Sequence, residues 1–132
     1  MNQKEVCMNW DKYENFEEDE FKCPCCGIVN VSAHFLSKLQ LGRDYSRIAY
    51  DISSGCRCKK HNEEVGGKLD SAHITSKFRK CMGADIKTRN NHERFLVLKG
   101  LILAGFTRIG IYDKHIHADA KHNAVQKITW NT

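Results

Sequence analysis

Asn90-Asn91-His92-Glu93-Arg94-Phe95-Leu96-Val97-Leu98-Lys99-Gly100-Leu101-Ile102-Leu103-Ala104-Gly105 leads through Phe106 into Thr107-Arg108-Ile109-Gly110-Ile111-Tyr112 and then His115-Ile116-His117-Ala118-Asp119. Asn90 with Glu93 three residues on makes a capping box. Phe95, Leu98, Leu101 and Ile102 share one helical face, and Gly105 stops the helix. The two segments that follow read as short strands, or as one bent strand with an irregular middle. Alternate side chains of a strand share a face, so His115, His117 and Asp119 project together, and Asp113 joins them if the strand is regular that far.

Upstream of this block, Phe35, Leu36 and Leu39 recur at core-facing helical spacing behind Ser32 as N-cap, which predicts a first helix near 32–42. Arg47 to Ser53 alternates well enough for a strand, leading into a loop at Ser54-Gly55. Residues 1–20 carry seven acidic side chains, with Trp10, Tyr13 and Phe16 at three-residue spacing. They are read as a loosely packed arm or short amphipathic helix, ahead of a domain spanning 21–132.

Size bounds the answer. With 132 residues there is room for one domain and one modest core. Hydrophobic residues at 41% and charged residues at 28% give an ordinary globular balance, against disorder or a fibrous repeat. The most apolar stretch, 95–106, is broken by Lys99 and Gly100 and falls well short of the roughly 20 residues that span a bilayer, so no membrane insertion is expected. The acidic N-terminus does not read as a secretory signal, so synthesis in the cytoplasm is expected. The net charge of +5 comes from scattered Lys and Arg without interleaved aromatics, which argues against a nucleic-acid partner. A monomer is expected.

The chemistry sits in His and Asp. Ser71-Ala72-His73 and Gly83-Ala84-Asp85-Ile86 flank a basic stretch, and His117 follows on the late strand. Two imidazoles and a carboxylate are a ligand set that Zn²⁺ takes in catalytic sites, where a fourth position stays open for water.

These residues resemble the M15 peptidases, a family of D-Ala-D-Ala carboxypeptidases and phage L-alanyl-D-glutamate endolysins whose fold is related to Hedgehog signalling domains. The resemblance covers residues 20–120 in three ordered blocks. Ser71-Ala72-His73, Asp85 and His117 are similar to the family's metal residues. Ser54-Gly55-Cys56-Arg57 with His61-Asn62 and Val65-Gly66-Gly67 is similar to its Ser-Gly-x-Arg…His-Asn…Val-Gly-Gly segment. Gly105-Phe106, Ile109-Gly110-Ile111 and Ile116-His117-Ala118-Asp119 match its ending.

The resemblance implies an α+β single domain, with a small antiparallel sheet carrying the zinc site and helices packed on one face. It implies Zn²⁺ on His73, Asp85 and His117, with Arg57 as the substrate arginine. The implied activity is hydrolysis of peptidoglycan stem peptides at the bacterial cell wall, by a carboxypeptidase or an endopeptidase. The alternative is a catalytically silent zinc-binding recognition module. A zinc ribbon that binds nucleic acid uses none of these blocks.

Two departures shape the expectations. His73 and Asp85 stand twelve apart rather than seven, an insert of five residues around Thr75 to Lys80 that must loop out, and Cys81 beside it could compete as a soft ligand. Lys114 occupies the position three before the last His where relatives carry an acid, which leaves Asp113, His115 and Asp119 as candidate general bases; Asp119 could instead orient a ligand imidazole. Three readings of the seven cysteines stay open: free or buried thiols, disulfides tying the Cys23 turn to the Arg57 loop, or a second, four-cysteine zinc site drawn from Cys23-Pro24-Cys25-Cys26 and Cys56-Arg57-Cys58.

Overall fold

The computed structural model describes residues 8–131; residues 1–7 of the expected arm lie outside them. Helix α1 spans Ala33–Ser46, β1 Ile52–Ser54, α2 Lys59–Glu64, β2 Gly83–Lys87, α3 Asn91–Leu103, β3 Arg108–Ile111, β4 His115–Asp119 and β5 Ile128–Asn131. The chain is α+β.

Both main helices begin where local chemistry starts them. Ser32 Oγ accepts the Phe35 N–H at the head of α1, and Asn90 Oδ1 accepts the Glu93 N–H at the head of α3. Helix α1 runs beyond its expected end to Ser46, where Arg47 caps it in the left-handed region at φ 58°. The expected strand from Arg47 therefore shrinks to Ile52–Ser54. Burial explains the longer helix: Ser46 Oγ bonds the Tyr50 hydroxyl at 2.7 Å and donates to the Leu96 carbonyl of α3 at 2.7 Å, pinning its last turn against the second helix.

The sheet order is β1-β2-β4-β3-β5. The first four strands pair antiparallel, but β5 runs parallel to β3, so the sheet is mixed rather than wholly antiparallel. Strand β5 lies beyond the last expected element. In the central pair, Asp85 faces His117, Ile86 faces Ile116 and Ala84 faces Ala118. Ala84, Ile86, Ile116 and Ala118 turn to one side and share the core with Phe35, Leu36 and Leu39 of α1 and Val97 and Leu101 of α3. Asp85, His115, His117 and Asp119 alternate to the opposite side.

Trp10–Lys12 and Glu18–Phe21 form short 3-10 turns, where an amphipathic helix was expected. Tyr13, Phe16 and Phe21 enter the core, so this segment packs tightly rather than loosely. Among the described residues no helix is long and apolar enough to cross a membrane.

Ile116 is fully buried at the seam between sheet and helices. Ile116→Ala should cost about 2–5 kcal/mol by leaving a cavity there. Urea unfolding measures it, and a loss under about 1 kcal/mol would mean that the helices do not close over this strand.

Candidate metal centre and active site

Hydrogen bonds around the loops bring His73 to the sheet. The His73 N–H donates to Ser71 Oγ at 3.2 Å, the role of the serine in Ser-x-His. The His73 carbonyl accepts the Arg57 N–H at 2.8 Å, and Met82 N–H donates to the Ala72 carbonyl at 3.0 Å. His73 thus lies between the Arg57 segment and the entry to β2. The insert loops out as a turn: Ser76 and Arg79 pair, Asn30 Nδ2 binds the Ser76 carbonyl at 2.9 Å, and Phe78 stands exposed at the tip. Cys81 returns from it buried and turned away, its thiol donating to the Gly83 carbonyl at 3.2 Å. It does not compete for the donors described next.

His73 Nε2, Asp85 Oδ1 and His117 Nδ1 form a triangle. Its edges are 3.1 Å from His73 to Asp85, 2.9 Å from Asp85 to His117, and 3.2 Å between the imidazoles. All three residues are buried. Ligands about 2.0–2.1 Å from a tetrahedral Zn²⁺ stand about 3.3–3.4 Å from one another, so the triangle is close to that size before any adjustment.

The outer nitrogens decide what the inner ones offer. His73 Nδ1 lies 2.7 Å from the Gly55 carbonyl, an acceptor only, so the ring proton is on Nδ1 and Nε2 presents a lone pair. His117 Nε2 lies 2.7 Å from Asp119 Oδ2, which holds the proton there and turns the Nδ1 lone pair inward. Three lone pairs then meet in one buried place. A cation at the centre of the triangle satisfies all of them at once, and the donor set fits zinc.

The electrostatics of Asp85 and His73 suit this arrangement, while His117 is drawn toward its protonated form by the carboxylates beside it. Burial opposes charge on Asp85, yet the adjoining His117 and His73 rings hold its carboxyl well below the usual carboxylate range. Burial dominates at His73 and pushes its pKa down, favouring the neutral, ligating form. At His117 burial is outweighed by the Asp119 and Asp85 carboxylates, which push the ring's pKa up. Asp119 is itself held below the ordinary range against burial by His117, with Arg108 Nε bonded to its other oxygen at 2.7 Å. The chain from Arg108 through Asp119 to His117 is the carboxylate–histidine support that orients metal-binding imidazoles.

Asp85 has a second oxygen, and Arg57 holds it. Arg57 Nη2 lies 3.2 Å from Asp85 Oδ2, while its Nε donates to Ser54 Oγ at 3.0 Å and Nη1 to Asn62 Oδ1 at 3.4 Å. His115 Nε2 stands 3.8 Å from the same Oδ2, its ring stacked on Tyr112 at 4.4 Å and 10°. These groups floor and flank an open cleft of about 320 Å³ that also takes in Lys68, Arg108 and Trp130.

The structure therefore gathers His73, Asp85, His117, Arg57, His115 and Asp119. Asp113 is placed elsewhere. Strand β4 starts at His115, so Asp113 lies in the β3–β4 turn, exposed, with its carbonyl bonded to Arg94, and outside the cleft lining. The strand parity that aligned it with His117 does not reach that far. Arg108, Tyr112 and Trp130 were not anticipated. The Ile128-Thr129-Trp130 run carried a β-strand signal for the last of them, and Gly110 makes room for it: a Cβ there would sit 2.6 Å from the Trp130 ring.

A family model described as Peptidase M15 matches residues 14–119, about four fifths of the chain and every residue of the triangle. No curated protein matches the chain.

Asp119→Ala removes the proton holder of His117 without touching a donor of the triangle. Zinc affinity should fall about 10- to 100-fold. Competition against a chromophoric chelator reads it directly; unchanged affinity would mean that Asp119 does not position His117.

Proposed function

The chain belongs to the M15 peptidase family, and from that premise we propose that it is a zinc-dependent peptidase that hydrolyses peptidoglycan stem peptides at the bacterial cell wall. M15 peptidases are zinc-dependent. The observation that carries the reading is the triangle of three lone-pair donors, 2.9–3.2 Å apart, at the floor of an open cleft.

His73, Asp85 and His117 would hold the ion. When bound in a three-ligand site, zinc supplies Lewis-acid polarisation and acidifies a water toward a pKa of about 7. The residues around it do the rest. His115 takes the part of general base: its Nε2 lines the cleft 3.8 Å from Asp85 Oδ2, and Tyr112 fixes the ring plane for taking a proton and returning it to the leaving amine. Arg57, already turned into the cleft, offers a planar cation to a substrate carboxylate or to the developing oxyanion. Lys68 and Arg108 add positive charge to the same walls, which suits the carboxylate-bearing stem peptide.

His117→Ala should lose both the bound zinc, measured by atomic emission, and the cleavage of purified peptidoglycan, followed by mass spectrometry of the new ends. Zinc at wild-type stoichiometry in the folded variant would defeat the ligand assignment. Zinc bound by the wild type with no new ends on any stem peptide would leave a recognition module instead.

His115→Ala should retain zinc and lose about 10²- to 10⁴-fold in turnover, with Asp113→Asn near wild type. The opposite pattern would return the base to Asp113. Arg57→Ala should lower kcat/KM on stem peptides while keeping zinc bound, and a wild-type value there would leave Arg57 only its contacts to Asp85, Ser54 and Asn62.

A further inference from the structure

Outside the cleft, a second group of metal-capable side chains remains. One sulfur each from Cys23, Cys26 and Cys58 lie within 4.8 Å of one another. Thiolates about 2.3 Å from a tetrahedral Zn²⁺ stand about 3.8 Å apart, so the three sulfurs need only small adjustments to share an ion.

The backbone around them is arranged for sulfur anions. Cys23 Sγ accepts the Cys58 N–H at 3.3 Å and the N–H groups of Cys25 and Cys26. Cys26 Sγ accepts from Ile28, and Cys58 Sγ, at the N-cap of α2, accepts the His61 N–H at 3.4 Å. A thiol is a weak acceptor and a thiolate a strong one, so these N–H donors suit sulfurs that bind a metal as thiolates. Three anions this close repel unless a cation lies between them. The turn is shaped for the same end: Gly27 takes φ +77°, open to glycine without strain, its N–H bonds the Cys23 carbonyl at 2.9 Å, and Cys23 N–H returns to the Ile28 carbonyl at 3.0 Å. That fold-back brings the two ends of Cys-x₂-Cys together.

We propose that Cys23, Cys26 and Cys58 bind a second, structural zinc ion, with Cys25 in the fourth position. Cys25 is exposed, and its thiol is within hydrogen-bond reach of Cys58. Soft sulfur ligands select zinc over hard divalent ions. Each thiol binds as its thiolate and releases its proton to solvent, and an all-sulfur set closes the coordination shell, which marks a structural rather than a catalytic ion. The ion joins the Cys23 turn to the residue that follows Arg57 and to the head of α2, whose Asn62 receives Arg57 Nη1. It thereby fixes the base of the arginine in the cleft. This site stands apart from the His73–Asp85–His117 triangle and does not depend on its assignment.

The test uses the full-length reduced protein with Co²⁺ as probe. The wild type should show a near-ultraviolet thiolate-to-cobalt charge-transfer band, and a His73→Ala/His117→Ala variant should keep it, since those residues supply no sulfur. Cys26→Ser and Cys58→Ser should each lose the band, and Cys25→Ser should keep it with weaker cobalt affinity. Should the serine variants fail to fold, the wild type alone decides: added Zn²⁺ should protect Cys25, Cys26 and Cys58 from alkylation, read by peptide mapping. No band in the reduced wild type, no protection by zinc, or a disulfide joining these cysteines in the native protein would overturn the site. Unchanged cobalt affinity in Cys25→Ser would remove Cys25 from it.

Discussion

The pairing of Asp85 with His117 across β2 and β4 is the constraint on which the rest depends. Side chains alternate along a strand, so this register sends Asp85 and His117 to one side while Ile86 and Ile116 enter the core on the other. A slip by one residue would bury the carboxylate and imidazole among Phe35, Val97 and Leu101 and expose the isoleucines. Desolvating those groups without their partners costs several kcal/mol, and exposing the isoleucines forfeits about 1.5–3 kcal/mol each. The core therefore enforces the geometry of the site. His73 arrives from a loop, but the bond of its carbonyl to the Arg57 N–H and that of the Ala72 carbonyl to the Met82 N–H tie this loop to the entry of β2.

Much of this was legible in the chain. The N-caps at Ser32 and Asn90, the apolar face of α1, and the alternation from His115 to Asp119 each encode local structure through nearest neighbours, and each formed as expected. On α3 the inward face is instead Val97, Gly100 and Leu101, with Phe95 and Ile102 of the expected stripe exposed, and Glu93 accepts the Arg89 N–H rather than closing a capping box on Asn90. What escaped depended on distant partners. Helix α1 continues past Gly42 because Ser46 finds a carbonyl on α3 fifty residues away. Strand β5 forms because β3 offers an open edge, and its parallel sense required knowing where the connecting segment runs. Asp113 was aligned by a strand parity that ends at His115, a boundary set by the turn rather than by the residue pattern. The residues of the site were readable as types and spacings. The Gly55 carbonyl that fixes the His73 tautomer was not, since every residue carries a carbonyl.

That backbone group has a chemical consequence. A histidine can present either nitrogen, and His73 and His117 present different ones: Nε2 from the first, Nδ1 from the second. The choice follows from reach. His117 sits on a strand directly opposite Asp85, where the nearer Nδ1 already meets the carboxylate, and its far nitrogen is left for Asp119. His73 comes from a loop farther out and must extend its far nitrogen, leaving Nδ1 for a local carbonyl. Both outer bonds lock ring rotation, which makes the triangle rigid before any ion enters.

Arg57 completes the logic of the cleft. By bonding Asp85 Oδ2 it leaves Oδ1 as the oxygen that faces both imidazoles, so the carboxylate is divided between an internal cation and the ligand triangle. Two charges at this separation in a partly buried site attract by about 5 kcal/mol at an effective dielectric near 20, before the cost of desolvating them, which favours the arginine's place beside Asp85. A substrate carboxylate entering beside it would share the guanidinium rather than displace Asp85, because a planar fork has five donors and Asp85 uses only one of them. Under the proposed function, the arginine keeps the Asp85 carboxylate oriented and retains donors for an anionic substrate end. Lysine, with a point charge and no fixed plane, could not hold Ser54, Asn62 and Asp85 in the same geometry while keeping a donor free.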